Sequence, residues 1–151
     1  MASVTLYFED YQPGLAVSCG SVRVEEADII AFAKEFDPQP FHIDPAAPQF
    51  GGLIASGWHT ISLVMRQLVE NFVSADSSLG AAGVDEVRWP HPVRPGDTLT
   101  VQATVLEARR SNSKPDRGIV RTLIEAVNQA GEPVLRMIAI NFVLARPSAA
   151  N

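Results

Sequence analysis

The stretch Ser56-Gly57-Trp58-His59-Thr60-Ile61-Ser62-Leu63-Val64-Met65-Arg66-Gln67-Leu68-Val69-Glu70-Asn71-Phe72-Val73 decides how the chain must fold. Trp58, Ile61, Met65, Leu68 and Phe72 recur at helical spacing and form one stripe; Leu63, Val64, Val69 and Val73 widen it. A helix apolar over so much of its surface needs cover on most sides, so the spacing predicts a long buried helix over 56–73. Arg66, Gln67 and Glu70 interrupt the run, which rules it out as a membrane span.

Upstream, Ile29, Phe32, Ala33 and Phe36 stand at i, i+3, i+4 and i+7, which predicts a one-faced helix over 25–36 after an extended segment from Leu15 to Val24. Asp37 precedes Pro38, and the proline disfavours further helix. A loop then runs to about Ile54, with a short helix expected near Pro45 to Phe50 and Asp44 as its N-cap. Downstream the period changes to two. A short strand is expected over Val84 to Trp89. Leu99, Val101, Ala103 and Val105 alternate with threonines and Gln102; Val120, Thr122, Ile124 and Ala126 form the inward face of the next strand. Val134 to Leu144 is apolar on both faces and predicts a central strand, joined to its predecessor by a turn at Gly131. Runs of helix followed by runs of strand argue α+β. An antiparallel sheet of about five strands wrapped around the long helix would bury it, which is the hot-dog arrangement.

With 151 residues, 46% apolar and 19% charged, the chain reads as one globular domain, 1–151, without internal repeats or linkers. A net charge of -5 argues against nucleic-acid binding. The N-terminal run Met1 to Asp10 has neither a basic nor an apolar signal region, so a cytoplasmic location is expected. Cys19 is alone, which excludes an internal disulfide, and without a nearby His it is a poor nucleophile.

The chemistry concentrates in Asp37-Pro38-Gln39-Pro40-Phe41-His42-Ile43-Asp44. Two prolines stiffen a loop that carries a carboxylate and, five positions on, an imidazole. Such a pair suits general acid–base work on water, although helix capping by Asp37 and a carbonyl contact by His42 would be the plain structural alternative. Gly51-Gly52-Leu53-Ile54-Ala55-Ser56-Gly57 leads into the long helix, whose N-terminal amides and dipole can stabilise an oxygen that gains charge. Gly57 would let a ligand approach that backbone; the alternative is Ser56 as a simple N-cap and Gly57 as a packing residue. Trp58 and His59 read as packing residues, Ser62 as a small residue bonded back to its own helix. His91, in Trp89-Pro90-His91-Pro92, reads as part of a turn without a role.

Together with Phe50-Gly51, Ala55-Ser56-Gly57 and Pro92-Val93-Arg94-Pro95-Gly96-Asp97-Thr98-Leu99, that loop resembles the MaoC-like dehydratases, a family that includes the R-specific enoyl-CoA hydratases. The resemblance implies a hot-dog fold in a homodimer or larger assembly. It implies reversible syn hydration of a trans-2-enoyl thioester, on CoA or acyl carrier protein, to the (R)-3-hydroxyacyl thioester, in fatty-acid-type metabolism and without metal or redox cofactor. Asp37 and His42 then activate water and handle the α-proton, the Gly57 N–H binds the thioester oxygen, and Ser62 supports Asp37. Gln39 and Ser56 depart from the family's usual Asn and His and stand as supporting residues. Arg109, Arg110, Lys114 and Arg117 surround a loop that is either merely solvated or a contact for CoA phosphates. Two other readings remain open: a hot-dog thioesterase, disfavoured because 56–69 contains no Asp or Glu, and a non-catalytic acyl-thioester binding module.

Overall fold

A computed structural model describes residues 4–148; Met1, Ala2 and Ser3 of the N-terminal run read above lie outside the described residues. After a 3-10 turn at Phe8–Asp10 come β1 (Ala16–Arg23), α1 (Glu26–Phe36), α2 (Pro40–Ile43), α3 (Gly57–Asn71), β2 (Ser78–Arg88), β3 (Thr98–Arg110), β4 (Arg117–Val127) and β5 (Pro133–Leu144). The strands form one sheet in the order β1-β3-β4-β5-β2, with every neighbouring pair antiparallel. Helix α3 packs on it, mainly against β1 and β3, giving the α+β hot-dog fold that the periodicities predict.

The alternation in β3 and β4 makes this packing possible. Leu99, Val101, Ala103 and Val105 on β3, with Val120, Ile124 and Ala126 on β4, point to one side and are buried against Val64, Leu68 and Phe72. Each fully buried Val or Leu contributes about 1.5–3 kcal/mol, so this face outweighs any local preference of the segments. The β4–β5 turn depends on Gly131, whose φ of 77° suits a residue without Cβ. Asn128 Oδ1 completes that turn by accepting from the amides of Ala130 and Glu132, both at 3.0 Å.

Three expectations need correction. First, α3 is not buried all round: Trp58, Met65 and Val69 are exposed at 61%, 42% and 40%. The sheet covers one side only, taking Thr60, Val64 and Leu68, so the broad apolar stripe is split between core and surface. Phe36, expected to pack inward from α1, is likewise exposed, while Ile29 and Ala33 are buried. Second, the short helix is α2 at Pro40–Ile43, not a helix near Pro45 to Phe50. Pro40 sits in its first turn, where a missing N–H costs nothing. Asp44 therefore ends a helix instead of starting one, and its Oδ1 accepts from Ala46 N at 2.9 Å in a local turn. Third, β2 begins six residues before Val84 and ends before Trp89. Its first half is small and glycine-rich, and it pairs on one edge only with shifts in register, so no apolar alternation marks it. The expectation for β5 holds: it is an interior strand, paired with β4 on one edge and β2 on the other.

Two connections position the site. Ile54 N donates to Phe41 O at 3.0 Å and Ala55 N to Val93 O at 2.8 Å, tying the loops before α3 to α2 and to the segment before β3. That segment is held by Asp97, whose carboxylate accepts from Arg94 N at 2.9 Å across the turn at Gly96. Among the described residues no helix is long and apolar enough to cross a membrane.

Candidate active site

Helix α1 stops where the sequence predicts, with Asp37 N bonded to Ala33 O at 2.8 Å and Pro38 preventing another turn. One turn later α2 swings His42 inward until it is only 5% exposed. Its Nε2 lies 3.3 Å from Asp37 Oδ2. Its Nδ1 lies 2.7 Å from Ile54 O. A carbonyl oxygen only accepts, so Nδ1 carries a hydrogen and Nε2 is the position left to exchange a proton.

Asp37 is held from three sides. Gln39 Nε2 donates to its Oδ1 at 2.7 Å, Ser56 Oγ donates to its Oδ2 at 2.7 Å, and His42 stands beside the same oxygen. Burial pushes the carboxyl up, but the bonds from Ser56 and Gln39 and the neighbouring imidazole together outweigh it and hold Asp37 below the ordinary carboxylate value. Asp37 is thus an anion at neutral pH, pointing into the cleft with its side chain 19% exposed.

Ser56 has a consequence for α3. It occupies the N-cap position, yet its side chain makes no capping hydrogen bond because the hydroxyl is committed to Asp37. The opening amides of α3, at Gly57, Trp58 and His59, are left without that cap at the positive end of the helix dipole. Gly57 and Trp58 border a cleft of about 380 Å³ lined also by Asp37, Gln39, His42 and Trp89, with Phe50, Ile54, Pro92 and Val93 as apolar wall.

The structure sorts the sequence candidates. Asp37, His42, Gln39, Ser56 and Gly57 come together. Ser62 does not: it is exposed on α3 and its Oγ donates to Trp58 O at 2.8 Å, so the hydroxyl supporting Asp37 belongs to Ser56. The side of Gly57 where a Cβ would stand is filled by the Trp89 indole, whose Cζ2 and Nε1 would lie 2.7 and 2.8 Å away; on that face an aromatic ring, not a ligand, requires the glycine. Arg109, Arg110, Lys114 and Arg117 sit at the β3–β4 turn. The cleft adjoins the opposite end of β3, roughly 40 Å away along a strand rising about 3.3 Å per residue. Arg110 bonds to Pro115 O at 2.7 Å and reaches Glu9 at 3.3 Å, and Arg117 pairs with Asp116 at 2.9 Å. The expected phosphate contact is therefore not made within one protomer, because strand length separates the two ends.

Trp89 and His91 are site residues that the sequence reading leaves without a role. His91 lines the cleft, with Nδ1 2.8 Å from Pro133 O and Nε2 3.7 Å from Glu132. The signal available was the proline that follows each of them, which restricts the backbone of Trp89 and of His91 to extended conformations. His59 behaves as the packing residue expected: it is buried, stacked 5.0 Å from Phe32, and burial holds its imidazole below the ordinary value. Burial likewise pushes the Cys19 thiol up, which suppresses the thiolate. Among the described residues no three His, Cys, Asp or Glu side chains are placed to hold a metal ion.

Comparison with known proteins agrees with this arrangement. The family model for the MaoC like domain matches residues 11–128. A MaoC-like dehydratase from Rhodospirillum rubrum is 47% identical, with 95% of this chain and 100% of that chain covered at a TM-score of 0.88. A mesaconyl-CoA hydratase from Cereibacter sphaeroides is 31% identical over 150 residues; the match covers 95% of this chain but only 43% of that longer protein. The R-hydratase PhaJ1 from Pseudomonas aeruginosa shares the fold at a TM-score of 0.76 and 24% identity, covering 99% and 96% of the two chains. A carboxylate–imidazole pair beside an uncapped helix start, on a fold and sequence so matched, places this chain in the MaoC-like dehydratase family.

Proposed function

We propose that the protein hydrates a trans-2-enoyl thioester, CoA-bound or carried on acyl carrier protein, to the (R)-3-hydroxyacyl thioester, and catalyses the reverse dehydration. The observation that carries this reading is the 3.3 Å approach of His42 Nε2 to an Asp37 carboxylate kept ionised by Ser56 and Gln39. The thioester oxygen lies at the amides opening α3, chiefly Gly57 N–H. Asp37 takes a proton from water as the water oxygen bonds to C3. Electrons move onto the thioester oxygen, forming an enolate that the helix amides stabilise. The proton on Asp37 passes to His42 Nε2, and Nε2–H delivers it to C2, which restores both groups. Both partners act from one side of the enoyl plane, which accounts for syn addition. No redox change occurs and no further reactant is consumed.

The likeness to a mesaconyl-CoA hydratase favours CoA as the carrier. We also assign the exposed face of α3 (Trp58, Met65, Val69) and the exposed Leu79 and Val84 of edge strand β2 to contact with a second copy of the chain, to be checked by sedimentation.

The test is hydration of crotonyl-CoA and longer enoyl-CoAs, followed by loss of enoyl absorbance, with release of free thiol as control. Loss of absorbance without thiol is expected. Thiol release without hydration would replace the hydratase by a thioesterase; tight binding with neither would leave a binding module. Asp37→Asn and His42→Ala each lower kcat by about 10²–10⁴, and wild-type rates in both variants would remove the pair from the mechanism.

A further inference from the structure

The mechanism uses the first amides of α3 but does not say what holds them still. Trp89 answers this. It follows β2 and precedes Pro90, which restricts its backbone to extended conformations. Its Nε1–H donates to Gly57 O at 3.1 Å. Its ring lies so close to the Gly57 Cα that any Cβ there would overlap the indole. Trp58, the next residue of α3, meets the same ring edge-on at 5.8 Å between centroids. Trp89 is nevertheless 42% exposed, so hydrophobic burial alone does not account for its place.

The accepted oxygen belongs to the Gly57–Trp58 peptide, whose opposite end is the Trp58 N–H. A hydrogen bond to one end of a peptide polarises the other and strengthens it as a donor. The ring on Gly57 Cα also limits rotation of the Ser56–Gly57 peptide, where a glycine would otherwise be free. We propose that Trp89 is a positioning residue: its indole locks the two peptides that open α3, so that their amides keep a fixed aim at a carbonyl oxygen bound in the cleft. The catalytic consequence rests on the hydratase reading above; the lock itself does not.

The experiment exploits composition. The chain has only two tryptophans, Trp58 and Trp89, so an amide NMR spectrum of labelled protein shows two indole N–H signals, assigned with Trp58→Phe. The Trp89 indole hydrogen exchanges with water more slowly than that of Trp58. Trp89→Phe keeps a ring on Gly57 but removes the donor. It shifts the Gly57 and Trp58 amide signals and halves or abolishes their response to butyryl-CoA, a saturated thioester that binds without reacting. In the hydration assay Trp89→Phe lowers kcat about five- to tenfold and leaves KM within about twofold, since an amide aimed at developing charge acts mainly in the transition state. Trp89→Phe amides at wild-type positions, or an indole hydrogen exchanging as fast as that of Trp58, overturn the lock. Shifted amides with wild-type kcat overturn its role in positioning. If wild-type protein hydrates nothing while butyryl-CoA still moves the amides, the hydratase reading falls and the lock stands.

Discussion

Replacing Ser56 by Ala separates two serines that could each support Asp37. Ser56 Oγ lies 2.7 Å from Asp37 Oδ2 and Ser56 is fully buried, whereas Ser62 is exposed and bonded to its own helix. A hydrogen bond to a charged group contributes about 1.5–3 kcal/mol, and the partial exposure of Asp37 lets water replace some of it, leaving about 1 kcal/mol. Because Ser56 makes no side-chain cap, no capping energy is lost with the hydroxyl. For a chain of this size 1 kcal/mol lowers Tm by roughly 2–4 °C. The pH dependence identifies the cause. Asp37 is held below its ordinary value in the folded protein, so it contributes stability that is present above the unfolded carboxylate range and is lost as pH falls through the folded value. The Tm difference between wild type and Ser56→Ala is therefore full at pH 7 and shrinks on acidification. In kinetics the acid limb of kcat/KM moves upward, because Asp37 gains a proton more easily. Ser62→Ala leaves both profiles unchanged. A Ser56→Ala difference that stays constant from pH 7 to pH 3, or an acid limb that moves in Ser62→Ala and not in Ser56→Ala, refutes the reasoning.

Three further outcomes follow. Tyr11 is buried, donates to Phe72 O at 2.5 Å, and burial pushes its hydroxyl up to about 12. Since the folded value lies above the unfolded one, stability is complete below pH 10 and falls as pH rises towards 12; Tyr11→Phe loses the hydrogen bond but flattens this alkaline decline in urea titrations. Thr122 Oγ1 is buried without a protein partner. Thr122→Val keeps the shape and changes stability by no more than about 1 kcal/mol, in the stabilising direction, and a clear loss in urea unfolding would show that the hydroxyl is satisfied through solvent. Neutralising Arg109, Arg110 and Lys114 together leaves KM for enoyl-CoA unchanged if the site is built within one protomer; a rise of tenfold or more would show that a second copy brings that turn to the cleft.

Local patterns determined much of this protein. The change from helical to alternating period is written in side chains that each segment must bury, so α1, α3 and the strands β3, β4 and β5 were legible without tertiary information. Pro38 and Pro40 likewise dictated where α1 stops and that Asp37 and His42 lie on a stiff connection. Packing decided what local patterns could not. The sheet has one face for α3, so one side of an apparently buried helix, with Trp58, Met65 and Val69, is exposed. The partner of Asp37 is Ser56, 19 residues away, and not the Ser62 that a family pattern suggested. Trp89 reaches Gly57 across 32 residues because β2 runs to the end of the sheet where α3 begins. The basic turn is far from the cleft because β3 is long. In each case the deciding quantity is a distance through space between segments remote in the chain, and neither periodicity nor spacing carries that distance.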